Sequence, residues 1–360
     1  MINLFNIAGC LLFVCLSFIP SSKAAILSVQ KAVVIDKDWV ITSEYRYTIS
    51  IDSEDEEIAY SEIFLPKNNP VRLVKGAFGR YGNGDRVDNP AKVNGNRLLL
   101  KDLQTGNLVH YGFAIETQFP GFEKTFTDRF QICQEKCTGT VRYSLAFPEP
   151  TLFQWVIESG EVENASEQVR RIEAGQFIWD SHYAAPAPEG AVLRITTFMS
   201  WDEVAQHYLG LYDQIVGTGI NLKSLSGLSV PNTASEDEKV ETIVQFLENN
   251  FEYRAYVSET HFLLPDPPSI VLNRKWGDCK DLTLLGVVLL RSLGIDAFPV
   301  LVGPENQSKM ACDFPDPFSL EHAVLGIQEI DFTKYYDWTL PTGKVDLTGK
   351  QVIPLRRVTS

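Results

Sequence analysis

The run Gly277-Asp278-Cys279-Lys280-Asp281 opens the apolar stretch Leu282 to Leu293 and so sets one cysteine in the first turn of a predicted helix. Unpaired N–H groups and the helix dipole at that end favour a thiolate and can stabilise an oxyanion. Downstream, His322 heads the run Ala323-Val324-Leu325-Gly326-Ile327, and Asp337 lies within Tyr335-Tyr336-Asp337-Trp338-Thr339. Both runs read as short strands. Cysteine, histidine and aspartate in this order supply a nucleophile, a base, and a carboxylate that holds the imidazole tautomer without taking its proton. The chemistry is acyl transfer through a thioester that water or an amine resolves. One oxyanion donor would be the Cys279 N–H; for the second, Asn273, Trp276 and Tyr253 are candidates, each also readable as packing.

The elements that must position these groups are legible around them. The helix from about Cys279 to Leu293 is apolar nearly all round, which places it inside a domain. Gly294 suits a left-handed C-terminal position, and Ile295 to Val302 reads as a buried strand. Upstream, Ser235-Glu236-Asp237-Glu238 opens a capped helix with Val240, Ile243, Val244 and Leu247 as its stripe. Ser200-Trp201-Asp202-Glu203 opens another, expected to bridge the two halves of the chain, followed by a linker from Gly217 to Ala234. From Val29 to about Ile195 the pattern is strand-like. Tyr45, Tyr47, Ile49 and Ile51 alternate with Arg46, Thr48 and Ser50, and turn signals recur at Gly82-Asn83-Gly84-Asp85 and Asn94-Gly95. This half is expected to be an antiparallel β-sandwich.

Together with the run Pro265 to Leu272, the Gly277 to Asp281 block, the Leu289 to Val302 segment, His322 and Tyr336-Asp337-Trp338-Thr339 resemble the transglutaminase-like superfamily over roughly the last third of the chain. The resemblance implies a papain-like α+β core whose catalytic triad falls on Cys279, His322 and Asp337. Asn273, six residues before the cysteine, has a spacing similar to the oxyanion glutamine of papain-like enzymes. Bacterial members often carry Asn or Asp before the histidine, where this chain has Glu321. The β-rich half looks like the uncharacterised domain that often precedes such cores in exported bacterial proteins.

Length and composition fit a two-domain globular chain: 360 residues with 44% hydrophobic content. The expected divisions are a signal peptide at 1–24, a β-sandwich at 25–199, a bridging helix and linker at 200–234, and the core at 235–360. The apolar run Ile7 to Ile19, followed by a small-residue site ending at Ala24, implies export, most simply to a periplasm. A net charge of −14 repels phosphate backbones and argues against nucleic-acid binding. No second stretch approaches the roughly 20 apolar residues of a membrane span. Cys133 and Cys137 flank Gln134-Glu135-Lys136, a spacing for a hairpin disulfide in an oxidising compartment. Cys312 reads as a small core residue or a redox partner of Cys279. The acidic residues from Asp52 to Glu57 read as a solvated turn, and the histidines show no zinc spacing. No metal or cofactor is expected.

The expected function is a cysteine-dependent acyl transfer, as a protease, amidase or amine transferase, on peptide or amide substrates, with a peptide or protein, a cell-envelope component being one candidate, as partner. The alternative is a non-catalytic binding or scaffolding module of the envelope that retains the triad. Nothing in the sequence sets an oligomeric state.

Overall fold

The computed structural model describes residues 26–64, 71–80, 86–88, 92–94, 97–100, 103–117, 122–132, 137–158, 170–183, 190–216, 228–255, 264–305, 313–329, 333–339, 345 and 347–356. The expected leader, the Gly82–Asp85 turn, the Cys133–Cys137 disulfide loop, most of the linker after residue 216, and Cys312 lie outside the described residues. The chain divides into two compact units, Met1–Phe198 and Met199–Ser360. Its class is mixed α+β, with strands dominating the first unit.

In the first unit, chain order runs β1 (Ile26–Ile35), β2 (Ile41–Ser50), α1 (Glu54–Tyr60), β3 (Glu62–Phe64), β4 (Val71–Arg80), β5 (Arg86–Asp88), β6 (Lys92–Asn94), β7 (Arg97–Leu99), β8 (Leu108–Thr117), β9 (Thr127–Gln131), β10 (Cys137–Glu158), β11 (Arg170–Tyr183) and β12 (Val192–Thr196). A nine-stranded sheet follows the order β5-β4-β8-β2-β1-β10-β12-β9, with β11 also paired to β10; β3, β7 and β6 form a smaller sheet. The described ladders of this unit are antiparallel except one: β1 lies parallel to β10. These two strands are far apart in sequence, so no hairpin dictates their relative direction. The alternation in β2 places Tyr45, Tyr47 and Ile49, with Ile51 just beyond, in the core. Across the ladder Tyr45 stacks on Phe113 at 5.1 Å and Tyr47 on Tyr111 at 4.9 Å. Each such pair adds about 0.5–1.5 kcal/mol beyond its buried area. β6 and β7 pair antiparallel with Asn94 opposite Arg97, while Gly95 of the expected turn lies outside the described residues. The acidic stretch differs from expectation: it is helix α1, because Ser53 caps the Glu56 N–H and acidic side chains suit the positive end of a helix.

The second unit runs α2 (Trp201–Val216), α3 (Glu236–Asn250), β13 (Glu252–Tyr253), α4 (Pro268–Arg274), β14 (Trp276–Gly277), α5 (Cys279–Arg291), β15 (Ala297–Glu305), a short 3-10 turn Pro317–Ser319, β16 (His322–Gln328), β17 (Thr333–Tyr336) and β18 (Lys350–Pro354). An antiparallel sheet has the order β17-β16-β15-β18, and β13 pairs in parallel with β14. The helix expected to bridge the halves, α2, packs with the second unit and buries Val204, Tyr208, Leu211 and Tyr212. Ser200 accepts from the Glu203 N–H as expected, but the Glu203 carboxylate reaches back to the Met199 N–H. Helix α3 has the full capping box of Ser235 and Glu238. Helix α5 is buried on nearly every side and ends two residues short of Leu293. There the Ile295 N–H turns back to the Leu290 carbonyl, and Gly294 takes φ +82, a conformation a side chain would strain.

Candidate active site

Cys279 is the first residue of α5, and the cap before it is built by its neighbours. Asp278 accepts from the N–H groups of Lys280 at 2.9 Å and Asp281 at 3.1 Å. Asp281, fully buried, returns the bond to the Asp278 N–H at 3.2 Å. These bonds leave the Cys279 N–H as the donor of the first turn not committed to the cap. A second layer holds the cap in place. Asp281 also accepts from the Asp266 N–H at 2.7 Å and pairs with Arg274, which pairs in turn with Asp266 and donates to the Trp276 carbonyl at 2.7 Å. The Arg274 guanidinium lies 4.0 Å from the Trp276 ring centroid. The chain enters this region through Lys275, held in the left-handed region with φ 61.

Sheet register brings the histidine and the aspartate together. His322 begins β16 and Leu325 pairs with Tyr336 of β17. Continuing that ladder by one residue sets Asp337 opposite Val324, on the same face as His322 and diagonal to it. The His322 Nε2 and the Asp337 Oδ2 are 2.7 Å apart. The Cys279 side chain lies near enough to act on the charge of the imidazole, whose Nδ1 is the nitrogen not taken by Asp337. A bond from the Thr283 hydroxyl to the Ala323 carbonyl, 3.2 Å, ties α5 to β16 one turn beyond the cysteine. The structure thus brings the three predicted residues together, His322 bonded to Asp337 and within electrostatic reach of Cys279. Cys279 is 8% and Asp337 5% exposed, whereas the His322 side chain is 29% exposed, so a ligand meets the imidazole first.

The charges follow from these contacts. Burial alone would lower the His322 pKa, but the hydrogen bond to Asp337 and the interactions with Cys279 and Asp337 outweigh it and raise the value to about 10. Glu321, the residue before the histidine, is exposed. Burial opposes the Asp337 carboxylate, yet His322 and two bonds from Thr339 hold its pKa below the ordinary range. The Thr339 N–H and hydroxyl reach Asp337 Oδ1 at 2.9 and 2.7 Å and leave Oδ2 to the imidazole. Lys280 places a cation beside the sulfur; burial would lower its pKa, but Cys279, Asp278 and Asp281 raise it.

Of the second-donor candidates, Asn273 is exposed on α4 and Trp276 is half-buried under Arg274. Tyr253 borders the nucleophile through the β13–β14 pair. The sequence alone does not assign roles to Thr339, Arg274, Asp281 and Asp266. Two signals were available: Asp281 stands at capping-box spacing from Asp278, and Thr339 stands two residues after an aspartate, where an Asx turn closes. No group of residues able to hold a metal ion occurs among the described residues.

Residues 226–312 match the family model of the Transglutaminase-like superfamily. Among solved structures, a "putative protease" from Parabacteroides distasonis ATCC 8503 superposes with a TM-score of 0.60 at 14% identity, over 88% of this chain and 70% of that one, a likeness of fold. A "putative cysteine protease" from Cytophaga hutchinsonii has a TM-score of 0.24 at 13% identity over 64% of this chain and 83% of that one. Legionella pneumophila aminopeptidase A has a TM-score of 0.27 at 12% identity over 49% and 21%. At those two TM-scores the likeness contributes nothing to the reading. No curated protein matches the chain. The matched segment, 226–312, contains the cysteine-bearing helix α5 and is similar to a transglutaminase-like domain.

Proposed function

We propose that the protein is an exported, cysteine-dependent acyl-transfer enzyme acting on peptide or protein substrates, cell-envelope components among them. The observation that carries this reading is the hydrogen-bonded His322–Asp337 pair within electrostatic reach of Cys279, which begins a buried helix. The Cys279 sulfur attacks an amide or ester carbonyl. The His322 imidazolium, held by Asp337, gives its proton to the leaving group, and an acyl-thioester remains for water or an amine to resolve. The Cys279 N–H is one oxyanion donor; Asn273, Trp276 and Tyr253 are candidates for the second. The first unit is read as a β-sandwich, with the Cys133–Cys137 disulfide and the leader at 1–24 as parts of the same exported-protein reading.

The test is alkylation of the folded, full-length protein by iodoacetamide, with His322→Ala and Cys279→Ala beside it, followed by a peptide-cleavage screen. Rapid labelling of Cys279 that slows in His322→Ala, and cleavage that disappears in Cys279→Ala, is the expected result. A thiol inert until the protein unfolds would favour the non-catalytic envelope module instead.

A further inference from the structure

Tyr253 stands out among residues around the cysteine because its ring is at the surface while its hydroxyl is committed to nothing. Pairing of β13 with β14 sets Tyr253 against Gly277, two residues from Cys279, and the Arg254 N–H bonds the Gly277 carbonyl at 2.9 Å. The backbone of this tyrosine is thus fixed to the strand that leads into the nucleophile. Its residue is 39% exposed, and its hydroxyl makes no hydrogen bond among the described residues. It lies within the electrostatic reach of Cys279, Asp278 and Asp337. Burial of part of the ring, then repulsion from those three anionic groups, raises the phenol pKa, so it stays a proton donor wherever the cysteine is a thiolate. Asn273 has the spacing but not the setting: it is exposed on α4 and makes no hydrogen bond toward the cysteine among the described residues.

We propose that the Tyr253 hydroxyl is the second oxyanion donor, acting with the Cys279 N–H on the oxygen of the tetrahedral intermediate. The inference rests on the acyl-transfer reading. As sulfur bonds to the carbonyl carbon, the C=O π electrons move onto oxygen, and the phenol donates a hydrogen bond to that charge without losing its proton. When the C–N bond of an amide or the C–O bond of an ester breaks and the leaving group departs with the His322 proton, the carbonyl re-forms and the bond to Tyr253 weakens.

Two reactions of one thiol test it on the full-length protein. Acylation by 4-nitrophenyl acetate passes through an oxyanion, whereas alkylation by iodoacetamide displaces iodide and does not. Tyr253→Phe should slow the acylation burst by about 10²-fold, as loss of one oxyanion donor does, with the alkylation rate unchanged. Equal acylation in wild type and Tyr253→Phe overturns the proposal. So does a parallel fall of both rates, which would place the tyrosine's effect on the thiol or the fold, and so does a selective acylation loss in Asn273→Ala without one in Tyr253→Phe. A wild type that alkylates at Cys279 yet never acylates defeats the acyl-transfer reading itself, and the role of Tyr253 with it.

Discussion

At the scale of single residues, His322 governs how the site answers to pH. Its pKa is raised to about 10, from an unfolded value of about 6.5. The stabilisation from its protonated form is therefore complete below about pH 6.5 and is lost as pH rises through the folded value. Asp337 behaves in the opposite sense: its lowered pKa contributes above the ordinary carboxylate value and fades as pH falls through the folded one. Thermal unfolding followed against pH should show an alkaline decline in wild type that His322→Ala flattens; superimposable curves would contradict this assignment. Asp337→Asn should retain much of the shape but hold the imidazole in the wrong tautomer, with a loss on the order of 10⁴ in acyl-transfer rate. Thr339→Val removes one of the two bonds to Oδ1 and should cost less, because the Thr339 N–H still holds the carboxylate.

At the scale of elements, two contacts determine how α5 presents its cysteine. Asp281 joins the cap to the loop before α4 through Arg274, and its carboxylate is wholly buried. Asp281→Ala leaves the Asp266 and Asp278 N–H groups without their acceptor and removes one of the two carboxylates paired with Arg274, for which a loss of about 3–5 kcal/mol is expected. Denaturant titration measures it, and a loss below about 1 kcal/mol would contradict a structural ion pair. Gly286 faces Trp338, the residue after Asp337: a Cβ there would sit 2.7 Å from the indole ring and 3.3 Å from Leu247. Gly286→Ala gains about 1 kcal/mol of helix propensity but forces a packed ring to move, at about 1–3 kcal/mol. The second effect is the larger, so the variant should melt lower and acylate more slowly as Trp338 drags Asp337 from the imidazole.

At the scale of the whole molecule, each unit has its own core. In the second, α3 and α5 enclose Val240, Ile243, Leu247, Leu285, Val287 and Leu289 with Leu325 and Ile327 of the sheet. In the first, the aromatic faces of β2, β8 and β10 form a separate cluster. A fragment spanning Met199–Ser360 should accordingly unfold cooperatively on its own. Loss of its cooperative transition would contradict that independence. Comparing its Cys279 alkylation and acylation with those of the full chain would then reveal whether the β-rich unit acts on the chemistry; equal rates exclude such control.

The features legible in the residues alone are those that local chemistry sets. The capping of α3, the all-round apolar α5, the alternation of Tyr45, Tyr47 and Ile49, and the cysteine at a helix start each depend on neighbours within a turn or a strand. The order of Cys279, His322 and Asp337 was readable for the same reason: three chemically distinctive residues stand beside recognisable elements. What only the tertiary structure decided spans long loops. The parallel pairing of β1 with β10, the imidazole nitrogen that meets Asp337, and the Arg274–Asp281 tie beneath the cap are of this kind. So is the approach of Tyr253 to a cysteine far along the chain. Hydrophobic periodicity records which face of an element is buried but not which element covers it, and these contacts depend on the covering element.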